Sequence, residues 1–185
     1  MNRQLTQVIQ DLDHAQARLE ALAENISNDC WSKRNDPASW SPAECVAHLN
    51  LTSEAFVPRI RKAIEEARQL PQAHGEYKRD LLGKMFGGMV GPMRKIAGFR
   101  FMRVKTLPPF VPSGELPMNV ILAEFKRLQT QLTDMVRESD GLQIDKVRIT
   151  SPFGEKIHYN CYSAFVMIPR HQERHLEQAE LVWPE

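Results

Sequence analysis

The sequence predicts an all-α protein, a four-helix bundle with one long crossover segment and a possible extra short helix within it. Three observations lead there. Four stretches repeat apolar residues at three- and four-residue steps, as a helix with one buried face requires. No stretch sustains the alternation of a half-buried strand. Helices of this length, joined mostly by moderate loops, bury their apolar faces most simply against one another.

The first helix is expected over residues 3–28, with Leu5, Val8, Ile9, Leu12, Ala15, Leu19, Leu22, Ala23 and Ile26 on one face. The second opens at Ser41-Pro42-Ala43-Glu44. Serine at the cap, proline at the first helical position and glutamate three residues after the cap make a capping box with the favoured starting residue. Its apolar stripe, Val46, Leu49, Ser53, Phe56, Val57, Ile60 and Ile64, runs to about residue 68, with Pro58 as an expected kink. The third helix spans 117–138, with Val120, Leu122, Phe125, Leu128, Leu132, Met135 and Val136 inward and Gly141 near its end. The fourth spans 158–182, with Cys161, Phe165, Ile168, Leu176, Ala179 and Val182 inward and Pro169 as a second kink.

The connections differ. Residues 29–40 and 139–157 read as loops, the latter holding the turn-like Pro152-Phe153-Gly154. Residues 69–116 are too long for a structureless connection in one domain, so a shorter helix is expected at 77–97 and an extended run at 100–112.

A length of 185 residues fits one domain over 1–185. Apolar residues at 42% and charged residues at 25% suffice for a core, which excludes wholesale disorder. A net charge of +1 excludes a polyanion-binding signature for the chain as a whole. No apolar run is long enough for a membrane span, and residues 1–15 lack the apolar core of a secretory signal. Three scattered cysteines, Cys30, Cys45 and Cys161, argue against a disulfide framework and for a reducing, cytoplasmic setting.

Chemistry enters with the histidines. His171 and His175 are four apart, so both project from one side of the fourth helix. At 100° per residue, His175 lies about 20° and His171 about 60° from Ile168, both toward the bundle interior. Two buried imidazoles need partners for their nitrogens. A divalent cation meets that need, and so do carbonyls or waters around a pair of core histidines. His48 lies one turn into the second helix at the fringe of its apolar stripe, while His14, His74 and His158 read as surface, loop and helix-start residues. The segment His171-Gln172-Glu173-Arg174-His175 is not a zinc-protease motif. Gln172 stands where the catalytic glutamate belongs, and Glu173 lies about 200° around the helix from His171.

Trp40-Ser41-Pro42-Ala43-Glu44 leading to His48-Leu49, the terminal His171-Gln172-Glu173-Arg174-His175-Leu176-Glu177-Gln178, and Pro152-Phe153-Gly154 between them resemble the DinB/YfiT-like superfamily of metal-dependent enzymes. The resemblance spans nearly the whole chain. It implies a bundle of up-down-down-up topology and a divalent metal, zinc, nickel or manganese, held by His48, His171 and His175. It also implies a thiol-dependent S-transferase or isomerase, in which the metal activates a low-molecular-weight thiol such as bacillithiol or mycothiol against an electrophilic small molecule. Dimerisation through the bundle faces follows by analogy only.

Three neutral nitrogen ligands and an open position would lower the pKa of a bound thiol or water. A hydrolase is the alternative within the enzyme class, weakened because no carboxylate is clearly placed to act as base. A non-catalytic bundle that binds metal or a small ligand is the alternative outside it. Glu44, one turn before His48, is a candidate to orient that imidazole, although its capping role explains it as well. Gln178, one turn beyond His175, is a second candidate partner. Cys45 reads as an inert buried thiol, and Tyr159 and Tyr162 as core aromatics. The basic run Arg94, Lys95, Arg100, Arg103 and Lys105 reads as a solvated face rather than a nucleic-acid contact.

Overall fold

Four long helices carry the core, and their ends are tied by side chains from neighbouring helices. The computed structural model describes residues 1–72, 75–91 and 106–181, together with the backbone of 95–96 and 99–100. The elements are α1 (Arg3–Asn25), α2 (Asn28–Ser32), α3 (Pro42–Ala67), α4 (Leu81–Val90), β1 (Lys95–Ile96), β2 (Phe99–Arg100), a 3-10 turn at Pro108–Phe110, α5 (Met118–Glu138), β3 (Arg148–Ser151), β4 (Gly154–Asn160) and α6 (Cys161–Glu180). The described chain is thus mostly helical, with two antiparallel strand pairs, β1–β2 and β3–β4.

The capping box forms as read: Ser41 Oγ accepts from Glu44 N–H at 3.2 Å, and Glu44 Oε2 accepts from Ser41 N–H at 2.9 Å. Pro58 and Pro169 lie within uninterrupted α3 and α6, each removing one main-chain donor from its helix. Helix α3 packs against α5 and α6, and α1 packs against the same two. Arg18, late in α1, pairs with Glu180 at the end of α6, with an N–O distance of 2.6 Å. Arg68 after α3 reaches Glu138 at the end of α5 at 3.1 Å, and Asn50 near the start of α3 donates to the Ile121 carbonyl near the start of α5 at 3.0 Å.

The interior divides into two apolar clusters. One gathers Leu5, Leu12, Phe56, Ile64, Met135 and Phe165; the other gathers Leu19, Trp31, Val46, Leu49, Phe125 and Leu176. Between them along the helices lie buried polar residues, among them His48, Asn50, Gln129, Gln172 and His175. Gln129 donates to the Leu12 carbonyl at 2.8 Å and to Gln172 Oε1 at 3.2 Å, and Gln172 donates back to Gln129 Oε1 at 2.7 Å.

Several expectations are corrected. The segment read as a loop holds the β3–β4 hairpin, so His158 and Tyr159 lie on a strand and α6 begins at Cys161. The four residues of β3 alternate in burial but are too few to stand out, and β4 buries only its last two residues, Tyr159 and Asn160. A five-residue α2 occupies the expected loop at 29–40 and buries Trp31, whose Nε1 donates to the Leu116 carbonyl at 3.2 Å. The short helix occupies 81–90 rather than 77–97, and Val120 is 56% exposed rather than inward. His74, Val182, the side chains of the basic run at 94–105 and residues 101–105 of the expected extended run lie outside the described residues, while Pro108–Phe110 within that run forms a 3-10 turn rather than extended chain.

Strand β4 passes into α6 without a loop. Asn160 closes the strand and caps the helix: its Oδ1 accepts from Ser163 N–H at 2.8 Å, while its Nδ2 donates to the carbonyls of Lys78 (2.7 Å) and Asp145 (3.0 Å). Asp80 caps α4 through Gly83 N–H at 3.0 Å and accepts from Ser163 Oγ at 3.0 Å. A Cβ at Gly83 would overlap Ser163, so glycine lets α4 ride directly on α6.

Candidate metal centre

Helices α3 and α6 bring His48, His171 and His175 together. One nitrogen from each lies within 4.8 Å of the others, a three-histidine group positioned to bind a metal ion. His48 enters from the second turn of α3 and is 4% exposed; His175 is 9% exposed, and His171 keeps partial exposure. Ring centroids stand 5.2 Å apart for His48–His171, 4.6 Å for His48–His175 and 4.7 Å for His171–His175.

The hydrogen bonds assign the rings their roles. His48 Nδ1 lies 2.8 Å from the Phe110 carbonyl oxygen. A carbonyl only accepts, so Nδ1 carries the proton and Nε2 presents its lone pair. That Nε2 faces His171 Nε2 at 3.4 Å. The separation exceeds the usual hydrogen-bond range of about 2.7–3.2 Å. It is close to the roughly 3.3 Å between two nitrogens on one tetrahedral zinc with bonds of about 2.05 Å. His175 Nδ1 is buried with no hydrogen-bond partner. A buried ring nitrogen without a partner, on a histidine that closes a group of three, is what a set of ligand atoms looks like, and three neutral imidazoles are a donor set for a divalent transition metal.

Electrostatics agree. Burial lowers the pKa of His48, against a smaller opposing effect of the Phe110 carbonyl. Burial, then His48 and Arg174, brings His171 down to about 3. His175 falls well below its ordinary value through burial, the other two histidines and Arg174, with Gln178 acting in the opposite direction. All three imidazoles are therefore neutral near pH 7, the state in which they donate to a cation.

The other sequence candidates separate. Gln178 acts on His175. Glu44 does not supply the His48 Nδ1 contact, which the Phe110 carbonyl takes. Its carboxylate is held by Ser41 N–H and by a bidentate ion pair with Arg34, and the Arg34 guanidinium keeps its pKa below the usual value. Cys45 is fully buried and its thiol is pushed up to about 12, as befits an inert packing residue.

Three aromatic residues complete the surroundings. Trp40 stacks on His175 with centroids 5.9 Å apart and lies 4.9 Å from His48. Phe153 approaches His171 at 6.1 Å and Phe110 at 5.2 Å. Trp40 and Phe153 belong to the segments that carried the resemblance, but their places against the rings were not readable there. Phe110 acts through its main chain, which leaves no side-chain signal in a sequence.

A scan against protein-family models matches residues 11–179 to the DinB superfamily, a span that includes all three histidines. Searches of the curated proteins and of the solved structures found no match. With its match extending from within α1 to the end of α6, the chain belongs to the DinB superfamily.

Proposed function

We propose that this protein is a metal-dependent S-transferase or isomerase whose centre, His48, His171 and His175, holds one divalent cation and takes a low-molecular-weight thiol as co-substrate. The observation that carries the reading is the convergence of His48 Nε2 and His171 Nε2 at 3.4 Å, with a ring nitrogen of His175 within 4.8 Å of both and its Nδ1 left without a partner. A divalent cation in such a site stabilises a thiolate near neutral pH. The chain's own contribution is orientation and exclusion of water. Phe110 fixes the tautomer of His48, and Trp40 and Phe153 stand against the histidine rings, with the Phe110 ring packed on Phe153. Glu44 is committed to Arg34 and Ser41, and no carboxylate is among the groups acting on the three rings, which favours thiol chemistry over a hydrolase needing a general base.

The four long helices are read as one up-down-down-up bundle, and residues 1–185 as a single DinB-like domain. The end-to-end contacts Arg18–Glu180 and Arg68–Glu138 support that order of directions. Three free cysteines support a cytoplasmic location, and no helix among the described residues is long and apolar enough to cross a membrane. The partner is a small electrophilic substrate rather than nucleic acid, and a homodimer remains part of the proposal.

Elemental analysis of the purified protein, with His48→Ala and His175→Ala alongside, tests the centre. About one divalent ion per chain, lost in both variants, is expected; unchanged metal content in the variants would overturn the assignment. Assay of the loaded protein against thiol–electrophile pairs and against esters and amides then separates transferase from hydrolase.

A further inference from the structure

The three-histidine group is buried on one side and half-buried on the other. His48, His175 and Phe110 are buried, whereas His171, Trp40 and Phe153 keep partial exposure. Among the described residues of the centre, these last three form the side that a molecule arriving from solvent meets first. Beside the imidazole, that side is made of two aromatic rings. Trp40 lies against His48 and His175, and Phe153 lies against His171 with centroids 6.1 Å apart.

Phe153 is held from behind and from below. It occupies the two-residue turn Pro152-Phe153 between β3 and β4, where the proline ring restricts the backbone just before it. Its N–H donates to Ser151 Oγ at 3.2 Å, and the same hydroxyl accepts from the Tyr159 hydroxyl at 3.3 Å. The Phe153 ring stands edge-on to Phe110 and to Phe56, with centroids 5.2 and 5.9 Å away. Both of those residues are buried, so Phe153 ends an aromatic run that begins in the core and stops half-exposed beside His171. Hairpin turns are ordinarily polar. An apolar ring left half-uncovered in one, with an indole on the same side of the centre, gains by being covered. A flat apolar group covers it at little cost in ordering, because the ring is already fixed.

We infer that Phe153 is a specificity-determining residue: the centre takes a substrate bearing an aromatic or similarly flat apolar group, which packs on the Phe153 ring while its reacting atom reaches the metal position beside His171. The inference rests on the metal-centre reading above and adds the class of substrate to it.

The test uses cobalt-substituted full-length protein, whose visible absorption reports thiol binding, titrated with phenylmethanethiol and with ethanethiol. The wild type is expected to bind the aryl thiol about 10-fold more tightly. That ratio should collapse toward one in Phe153→Ala and be kept in part in Phe153→Leu. It should persist in Phe56→Leu, which alters the same aromatic run at a buried position. Equal affinities in the wild type, or a ratio that survives Phe153→Ala, would overturn the inference while leaving the metal centre standing. Equal weakening of both thiols in Phe153→Ala is one form of a surviving ratio, and it would reduce Phe153 to a support for His171. A collapse in Phe56→Leu as large as in Phe153→Ala would overturn the inference too, because the effect would then belong to core packing. Failure to take up cobalt would remove the centre itself and this inference with it.

Discussion

Two buried polar clusters meet on neighbouring residues of α6, and they are built to opposite ends. At Gln172 the amide is closed: it exchanges hydrogen bonds with Gln129, whose second donor reaches the Leu12 carbonyl. At His171 and His175 the cluster is open: one nitrogen is orphaned, and two others face each other at 3.4 Å. Both clusters carry the desolvation cost of polar atoms in a core. The amide pair recovers that cost within the chain, whereas the imidazoles recover it only from something that arrives. Internal closure marks a structural device, and internal incompleteness marks a site.

The contrast breaks most sharply at His175. His175→Ala should lose the bound metal, and with it the stabilisation that saturating metal gives, about 2.7 kcal/mol at a hundredfold excess over Kd. Thermal unfolding of the apo and metal-loaded forms measures this, the wild type gaining stability on loading and the variant gaining none. Gln129→Leu should behave in the opposite way, leaving metal content unchanged while costing about 1–3 kcal/mol, because Gln172 is stranded. The double variant Gln129→Leu/Gln172→Leu should cost less than the sum of the single changes in urea unfolding, with the difference giving the coupling of the pair.

Phe110→Ala tests the link between the open cluster and its support. Loosening the turn that presents the carbonyl to His48 should weaken metal binding about 10-fold, read by competition with a chelator, without removing any ligand. The smallest effect belongs to a contact outside both clusters. The Glu44 pKa is lowered in the folded chain by Arg34, so the unfolded chain binds the proton more readily. The contribution is complete above about pH 4.5 and fades as pH falls through the folded value. Glu44→Gln, which keeps the capping geometry, should therefore flatten the loss of stability below pH 4.5 and leave metal content untouched.

What the sequence disclosed follows from where each signal is written. His171, His175 and the cap at Ser41 were legible because helical spacing and side-chain type carry them directly, whereas His48 joined them only through the family resemblance. The amide pair was not legible, since a glutamine on an amphipathic helix reads as surface until a partner from another helix is known. Phe110 was invisible for a different reason: any residue supplies a carbonyl, and only the fold decides which one meets His48. Trp40 and Phe153 stood in view as motif residues, but stacking is a property of three elements together. The hairpin escaped because β3 has only four residues and the alternation in β4 is confined to Lys156-Ile157-His158-Tyr159, too short a run to stand out beside the helical periodicity.

The junction at Asn160 gives the hairpin an unexpected authority over the metal position. With no slack between strand and helix, the strand register sets the rotational phase of α6. One residue inserted after Asn160 would turn everything downstream by about 100°, swinging both terminal imidazoles away from His48 while leaving every apolar side chain in the chain intact.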